Sequence, residues 1–313
     1  MAVPLNPIEL VSAAASGDRR ALARLITLVE EDREGAADAL RGAFEAARPA
    51  YRIGLTGAPG TGKSTLADQL IIMARARDES IGVLAVDPTS PFSGGAVLGD
   101  RIRMQDHVLD QGVYIRSMAN RGHLGGLSEA APKALVAMET AGFDRIFIET
   151  VGVGQDEVEV TSAADTVLVI LTPGWGDGIQ AAKAGVLEIG DLFVVNKADR
   201  SGVRDTVADL RSMLALGGDL DWEPPIVETI ASRGSGIEDV WEAIERHRVH
   251  LGEAGIEQAR RVRRRAELET ALAARIRERA KQALETGVGA EVAAAVERGD
   301  IDPWTAADRL AAV

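Results

Sequence analysis

A chain of 313 residues with 46% hydrophobic and 27% charged side chains has ample material for a buried core and reads as globular. Its formal charge of −13 argues against a nucleic-acid binder, which needs a basic surface to displace phosphate counterions. The lack of any cysteine excludes disulfides and thiolate metal sites and suits a cytoplasmic location.

The N-terminal MAVPLNPIELVSAAASGD has no basic stretch ahead of an apolar run, so no signal peptide is expected. Residues 5 to 48 are expected to be helical: Leu22, Leu25, Ile26 and Val29 recur at helical spacing behind Asp18 as N-cap. A first strand, Arg52 to Thr56, is cut off by glycine and followed by the helix TLADQLIIMARAR. Further strands are expected at 81–87, 145–150, 166–172, 192–196 and 225–230, with helices between most of them. The longest apolar runs, such as Val167 to Leu171, fall far short of the ~20 residues that span a bilayer, so no membrane partner is expected. Alternating short strands and helices imply βαβ units and a mostly parallel sheet, whose ligands bind beyond the carboxyl ends of the strands. From about 237 the pattern is helical again, with Val262, Leu268, Leu272, Ile276 and Ala280 on one stripe among many charges.

Each polar motif follows the end of a strand. GAPGTGKST fits G-x-x-x-x-G-K-[ST] with Gly57, Gly62, Lys63 and Ser64, flanked by a strand and a helix as a phosphate-binding loop requires. The stretch Gly57, Ala58, Pro59, Gly60, Thr61, Gly62, Lys63, Ser64 and Thr65 is therefore assigned to nucleotide binding. Its glycines let successive N–H groups turn inward onto phosphate oxygens, aided by the helix N-terminus. Lys63 neutralises the β and γ phosphates and the Ser64 hydroxyl is a ligand for Mg²⁺. The tetrad N-K-x-D, at Asn196, Lys197 and Asp199, follows the strand LFVVN. The Asp199 carboxylate can accept both hydrogens from guanine N1 and N2, which adenine does not offer, so GTP and GDP are the expected nucleotides. Asn196 is expected to brace the loops, and the Lys197 stem to lie over the base. One strand later comes IASRGSGI, where the Ala231 N–H is the candidate donor to guanine O6, with Ser232 and Arg233 beside it.

Asp87, Asp100 and Glu149 are acids at or near strand ends, and with Ser64 they suit a hydrated Mg²⁺ that prefers oxygen ligands. Gln155, in the glycine-rich VGVGQDEV, is the candidate for positioning the attacking water beside Lys63 and Glu149. The four histidines are dispersed. His247 and His250 are expected on an exposed helix face, and the arginines from Arg260 to Arg265 on a solvated or dimer-facing helix.

GLTGAPGTGKSTL, LAVDPTSPFSGGAVLGDRIRM, GHLGG, FIETVGVGQDEVEV and VVNKAD, in this order and spacing, resemble the MeaB family. This family, also called ArgK or methylmalonic aciduria type A, belongs to the SIMIBI-class P-loop GTPases. The likeness runs from RRALARLITLVE to ERGDIDPWTAADRL, nearly the whole chain. It implies a GTPase chaperone that gates cofactor loading and protection of an adenosylcobalamin-dependent acyl-CoA mutase. It also implies a homodimer joined by C-terminal helices, a switch glutamate at Glu149, and magnesium-shell carboxylates at Asp87 and Asp100. The expected organisation is then a helical extension over 1–50, a P-loop GTPase domain over 51–258 and a dimerisation arm over 259–313. A nucleotide-sensing loop facing the mutase would fall at 174–183, where Gly178 and Ala181 depart from the family's Glu and Gly. Two rivals share the phosphate loop. A nickel-insertion GTPase needs Cys or His clusters that this chain lacks, and a P-loop kinase or transport ATPase has no use for N-K-x-D.

Overall fold

Three short helices open the chain in this computed structural model, which describes residues 6–88, 107, 109–120, 130–150, 163–174, 189–217 and 221–311. The first, α1 (Pro7–Ala15), starts on a capping box: Asn6 Oδ1 accepts from the Ile8 and Glu9 amides, and Glu9 reaches back to the Asn6 N–H. Asp18 caps α2 (Arg19–Glu30) by accepting from the Arg20 and Ala21 amides, as its place in the sequence implies. Leu22, Leu25, Ile26 and Val29 are all buried, and with α3 (Ala36–Ala46) the three helices share one core with the helix Ala130–Thr140.

The remaining elements are β1 (Tyr51–Thr56), α4 (Lys63–Arg75), β2 (Ile81–Pro88), β3 (Val113–Asn120), α5 (Ala130–Thr140), β4 (Arg145–Thr150), β5 (Thr166–Leu171), β6 (Leu192–Asn196), α6 (Val203–Leu214), β7 (Ile226–Thr229), α7 (Ile237–Glu285), α8 (Gly287–Glu297) and α9 (Pro303–Ala311). Among the described residues seven strands form one sheet in the order β3-β2-β4-β1-β5-β6-β7, and each of its pairings is parallel. The sheet separates two layers, as a parallel sheet must be covered on both faces. Along β4, Ile146 and Ile148 face the core of α1, α2, α3 and α5, whereas Phe147 faces that of α4 and the start of α7. The strand β3 was not among the expected six. VYIRSMAN carries Arg116 and Ser117 inside an apolar run, which a strand tolerates here because β3 is an edge with β2 as its one neighbour. Arg116 then reaches Glu30 on α2.

Two compact units divide the chain, Met1–Arg260 and Arg261–Val313. Within the first, α7 runs across the N-terminal edge of the sheet, the edge remote from the phosphate-binding loop. Its Glu245 pairs with Arg145 at the start of β4 (2.7 Å), and the Arg145 guanidinium lies 4.4 Å from the Trp241 ring centre. Arg248 sits over Tyr51 at the start of β1, and Arg260 donates to the Ala50 carbonyl (2.9 Å) beside Asp165 (3.6 Å). Arg260 is thus part of the underside of the core and not of a solvated face. The path of α7 is broken at Gly252, whose φ of 58° lies outside the helical range. In the second unit, α8 and α9 follow the end of α7.

The expectation for His247 also fails: it is 4% exposed. Its Nδ1 meets Thr166 Oγ1 at 2.8 Å, Thr166 meets the Tyr51 hydroxyl at 2.5 Å, and its Nε2 lies 3.5 Å from Asp191. The periodicity marks this stretch as an amphipathic helix without revealing that the sheet edge supplies polar partners for a buried imidazole. Trp222 packs against both His247 and His250, and Asp221 is 3.7 Å from His250.

Burial pushes the Asp191 carboxyl up to about 6 and, with the charge of His250 added, the His247 imidazole down to about 4. A raised carboxyl favours the fold fully below its ordinary value of 3.8 and loses that advantage as pH rises through about 6. A depressed imidazole favours the fold above its ordinary value of 6.5 and loses that advantage as pH falls through about 4. Between those values the two slopes oppose each other. Relative to the unaltered chain, His247→Gln should tilt the stability profile downward from pH 4 to 6, and Asp191→Asn should tilt it upward. Urea unfolding across this range checks the prediction; three parallel profiles would contradict it.

Candidate nucleotide-binding site

The loop between β1 and α4 is built on two glycines that no other residue can replace in place. Gly57 has φ 138°, and a Cβ there would lie 2.1 Å from the Ile170 carbonyl oxygen of β5. Gly62 has φ 97°, and a Cβ would lie 2.3 Å from Asn196 Nδ2. Both lack of steric bulk and access to positive φ are needed at each. Lys63 opens α4 and is 6% exposed, with Nζ donating to the carbonyls of Gly57 (2.7 Å) and Ala58 (3.0 Å). Thr61 Oγ1 donates to the Ala58 carbonyl as well. Pro59 and Gly60 form the exposed crest, and Thr65 is half-buried on the first turn of α4.

The strand order explains why Glu149 belongs here. Inserting β4 beside β1 pairs Glu149 with Leu55, one residue from the strand end. Its buried carboxylate accepts the Ser64 hydroxyl at 2.6 Å. One hydroxyl and one carboxylate side by side make an all-oxygen donor pair, which fits a magnesium ion that retains several waters. Among the described residues no cluster of three or more His, Cys, Asp or Glu side chains has a metal-holding arrangement. Of the expected shell, Asp87 is described only as backbone of β2, and Asp100 lies outside the described residues, as do Gln155 and 175–183.

On the other side of β1, the end of β6 carries Asn196, 3% exposed. Its Nδ2 donates to the Thr61 carbonyl (2.8 Å), while its Oδ1 accepts the Thr229 hydroxyl (3.1 Å) and the Ala231 N–H (3.0 Å). The carboxamide therefore joins the phosphate-binding loop, the end of β7 and the turn after it. Lys197 adopts φ 59° and its Nζ donates to the Gly60 carbonyl at 2.6 Å. Asp199 is 42% exposed, with Arg233 Nη2 3.8 Å away. Ala231, Ser232 and Arg233 form one 3₁₀ turn. Because the Ala231 amide is already engaged by Asn196, it would have to be shared or released to meet a base carbonyl. Thr229 escaped the sequence analysis: a threonine in a strand is ordinary, and only the register Asn196↔Thr229 shows it facing the carboxamide.

A family model described as "Methylmalonyl Co-A mutase-associated GTPase MeaB" matches residues 22–285. A Pyrococcus abyssi protein named as a GTPase is 47% identical over 96% of this chain and 95% of its own. The GTPase ArgK of Escherichia coli is 35% identical over 75% of this chain and 74% of its own. The methylmalonic aciduria type A homolog of Mus musculus, a mitochondrial protein, is 36% identical over 75% of this chain and 61% of its own. A crystal structure titled LAO/AO transport system kinase superposes with a TM-score of 0.71 at 24% identity, covering 99% of this chain and 98% of that one, and shares the fold.

Asn196→Ala removes three hydrogen bonds and leaves the partners from three segments unmatched. A destabilisation of about 2–4 kcal/mol is expected, at roughly 1 kcal/mol per bond, together with loss of nucleotide affinity. Denaturant melts and nucleotide titration of the variant check it; wild-type values in both would show that the carboxamide joins nothing of consequence.

Proposed function

We propose a function that proceeds from one premise: the chain belongs to the MeaB family of methylmalonyl-CoA mutase-associated GTPases. It is a GTPase of that family, and the reading goes further in three respects. The nucleotide is held between the Gly57–Thr65 loop and the Asn196–Asp199 turn, magnesium is held by Ser64 and Glu149, and the hydrolytic cycle gates cofactor loading and protection of an adenosylcobalamin-dependent acyl-CoA mutase.

The observation that carries the nucleotide reading is the union of the two motifs. Asn196 and Lys197 both bond to carbonyls of the phosphate-binding loop, so the base-reading turn and the phosphate cradle form one rigid surface. A nucleotide with a phosphate chain is the ligand this reading places across them. Asp199 supplies the acceptor pair that selects guanine. Lys63 would exchange its two loop carbonyls for phosphate oxygens, and backbone N–H groups at the start of α4 would orient them. Magnesium, when bound, offsets charge on the β and γ phosphates. Ser64 and Glu149 would hold the metal, and Asp87 and Asp100 would join them as further carboxylates, with Gln155 as the proposed water-positioning group.

The partner reading is supported by the family match over 22–285 and by the mouse relative's name. A homodimer through 259–313 is supported by the row Leu268, Leu272, Ile276 and Leu284, each at least 44% exposed along α7. Among the described residues no helix is long and apolar enough to cross a membrane.

Asp199→Asn should shift preference from GTP towards xanthosine triphosphate, because one acceptor becomes a donor. Competition titrations with the two nucleotides read this directly, and unchanged GTP selectivity would remove the base-reading role. Lys63→Ala should abolish tight nucleotide binding; near-normal GDP affinity would refute the phosphate assignment. For the partner, a purified adenosylcobalamin-dependent mutase should accelerate GTP turnover when mixed with the chain. No change in rate and no complex by gel filtration would leave the GTPase without that role.

A further inference from the structure

Asp68 lies one helical turn beyond Ser64 on α4, on the same face. Its Oδ1 accepts from His107 Nε2 at 2.9 Å, and His107 is 8% exposed. Two turns further along α4, the Arg75 Nε donates to Asp110 Oδ2 at 2.9 Å. The other Asp110 oxygen accepts the Gly112 N–H at 2.7 Å, which fixes the turn leading into β3. Asp110 is held below the usual carboxylate range first by that Arg75 bond and then by the Gly112 amide. One helix therefore meets Glu149 through Ser64, His107 through Asp68 and Asp110 through Arg75.

Neither phosphate binding nor base reading uses His107 or Asp68. Covering an imidazole and a carboxylate is costly unless they bond to each other, and an apolar residue at 107 would pack against α4 with no such condition. The polar pair specifies one relative placement, where an apolar contact would permit sliding.

We infer that His107 and Asp68 are positioning residues for the metal side of the nucleotide site. The pair fastens the chain at 107, on its way into β3, to the helix whose first turn carries Lys63 and Ser64. That contact adds a polar tie, on the Ser64 face, to the packing of Leu66, Leu70 and Ile71 that seats α4, and so helps hold the Ser64 hydroxyl against Glu149. The inference rests on the proposed GTPase site and acts through Ser64, so its signature is a changed magnesium requirement with an unchanged grip on the base.

The test is steady-state GTP turnover of the full chain against magnesium concentration, alongside GDP affinity in excess magnesium and the melting temperature. His107→Ala should raise the half-saturating magnesium concentration and lower kcat, each by roughly tenfold, the low end for groups that orient metal ligands. GDP affinity should stay within about twofold, because the base-reading turn and Lys63 are untouched. His107→Gln, whose amide can still donate to Asp68, should recover most of both losses. Should the alanine variant not fold, Asp68→Asn, which retains an acceptor but no charge, should raise the magnesium requirement a few-fold. Unchanged magnesium dependence in either variant overturns the inference. So does a parallel fall of GDP affinity, kcat and melting temperature that glutamine does not rescue, since that pattern belongs to packing alone. Wild-type chain without magnesium-dependent turnover overturns the hydrolase reading and this inference with it, whereas wild-type turnover that His107→Ala leaves intact overturns this inference only.

Discussion

The carboxamide of Asn196 is the point on which the rest of the site depends. It reaches Thr61, 135 residues earlier in the chain, and Ala231, 35 residues later, and it takes the Thr229 hydroxyl between them. A parallel sheet brings strand ends to one edge but does not fix the loops that leave them. Those loops carry exposed backbone groups, and each needs a partner when it is drawn into the interior. One side chain with two donors and an acceptor oxygen meets that need for three loops at once. Gly62 completes the arrangement by leaving room for the Asn196 amide to approach.

How much of this was legible beforehand depends on the range of the interaction concerned. The phosphate-binding loop, the N-K-x-D tetrad and the Asp18 cap announce themselves because each is a local pattern of residue types beside a strand or helix. The adjacency of Glu149 and Ser64 depends on the sheet order, and the strand-end position of the glutamate was enough to suggest it. The edge strand β3 was hidden by Arg116, whose charge answers Glu30 on α2, some 86 residues away. His247 was misjudged for a related reason. Its spacing from His250 describes one helix, while its burial depends on Thr166 and Asp191, which come from two other elements. Thr229 was missed because register is invisible without the partner strand.

The underside of the sheet follows a different logic from its nucleotide edge. Glycine and backbone amides dominate above; below, Arg145, Arg248 and Arg260 alternate with Trp241, Tyr51, Glu245 and Asp165. Pairs of this kind fix orientation more than they add stability, since the cost of removing charge from water offsets much of their attraction. Here they set where α7 lies across β4, β1 and β5. The same helix begins just after the turn that carries Ala231 and leaves the first unit at Arg260. The turn that carries Ala231 thus ends a few residues before α7, and the first unit ends within that helix, beyond its break at Gly252.

The two bonds from Lys63 to its own loop carbonyls carry a consequence of a kinetic sort. The ammonium is not waiting in solvent for a phosphate; it already has ligands of the protein's making. Phosphate entry is then a substitution reaction, in which the incoming oxygens must outcompete Gly57 and Ala58. The loop carbonyls of Gly57 and Ala58 thus hold the ammonium within the cradle that the G-x-x-x-x-G-K-[ST] pattern assigns to phosphate.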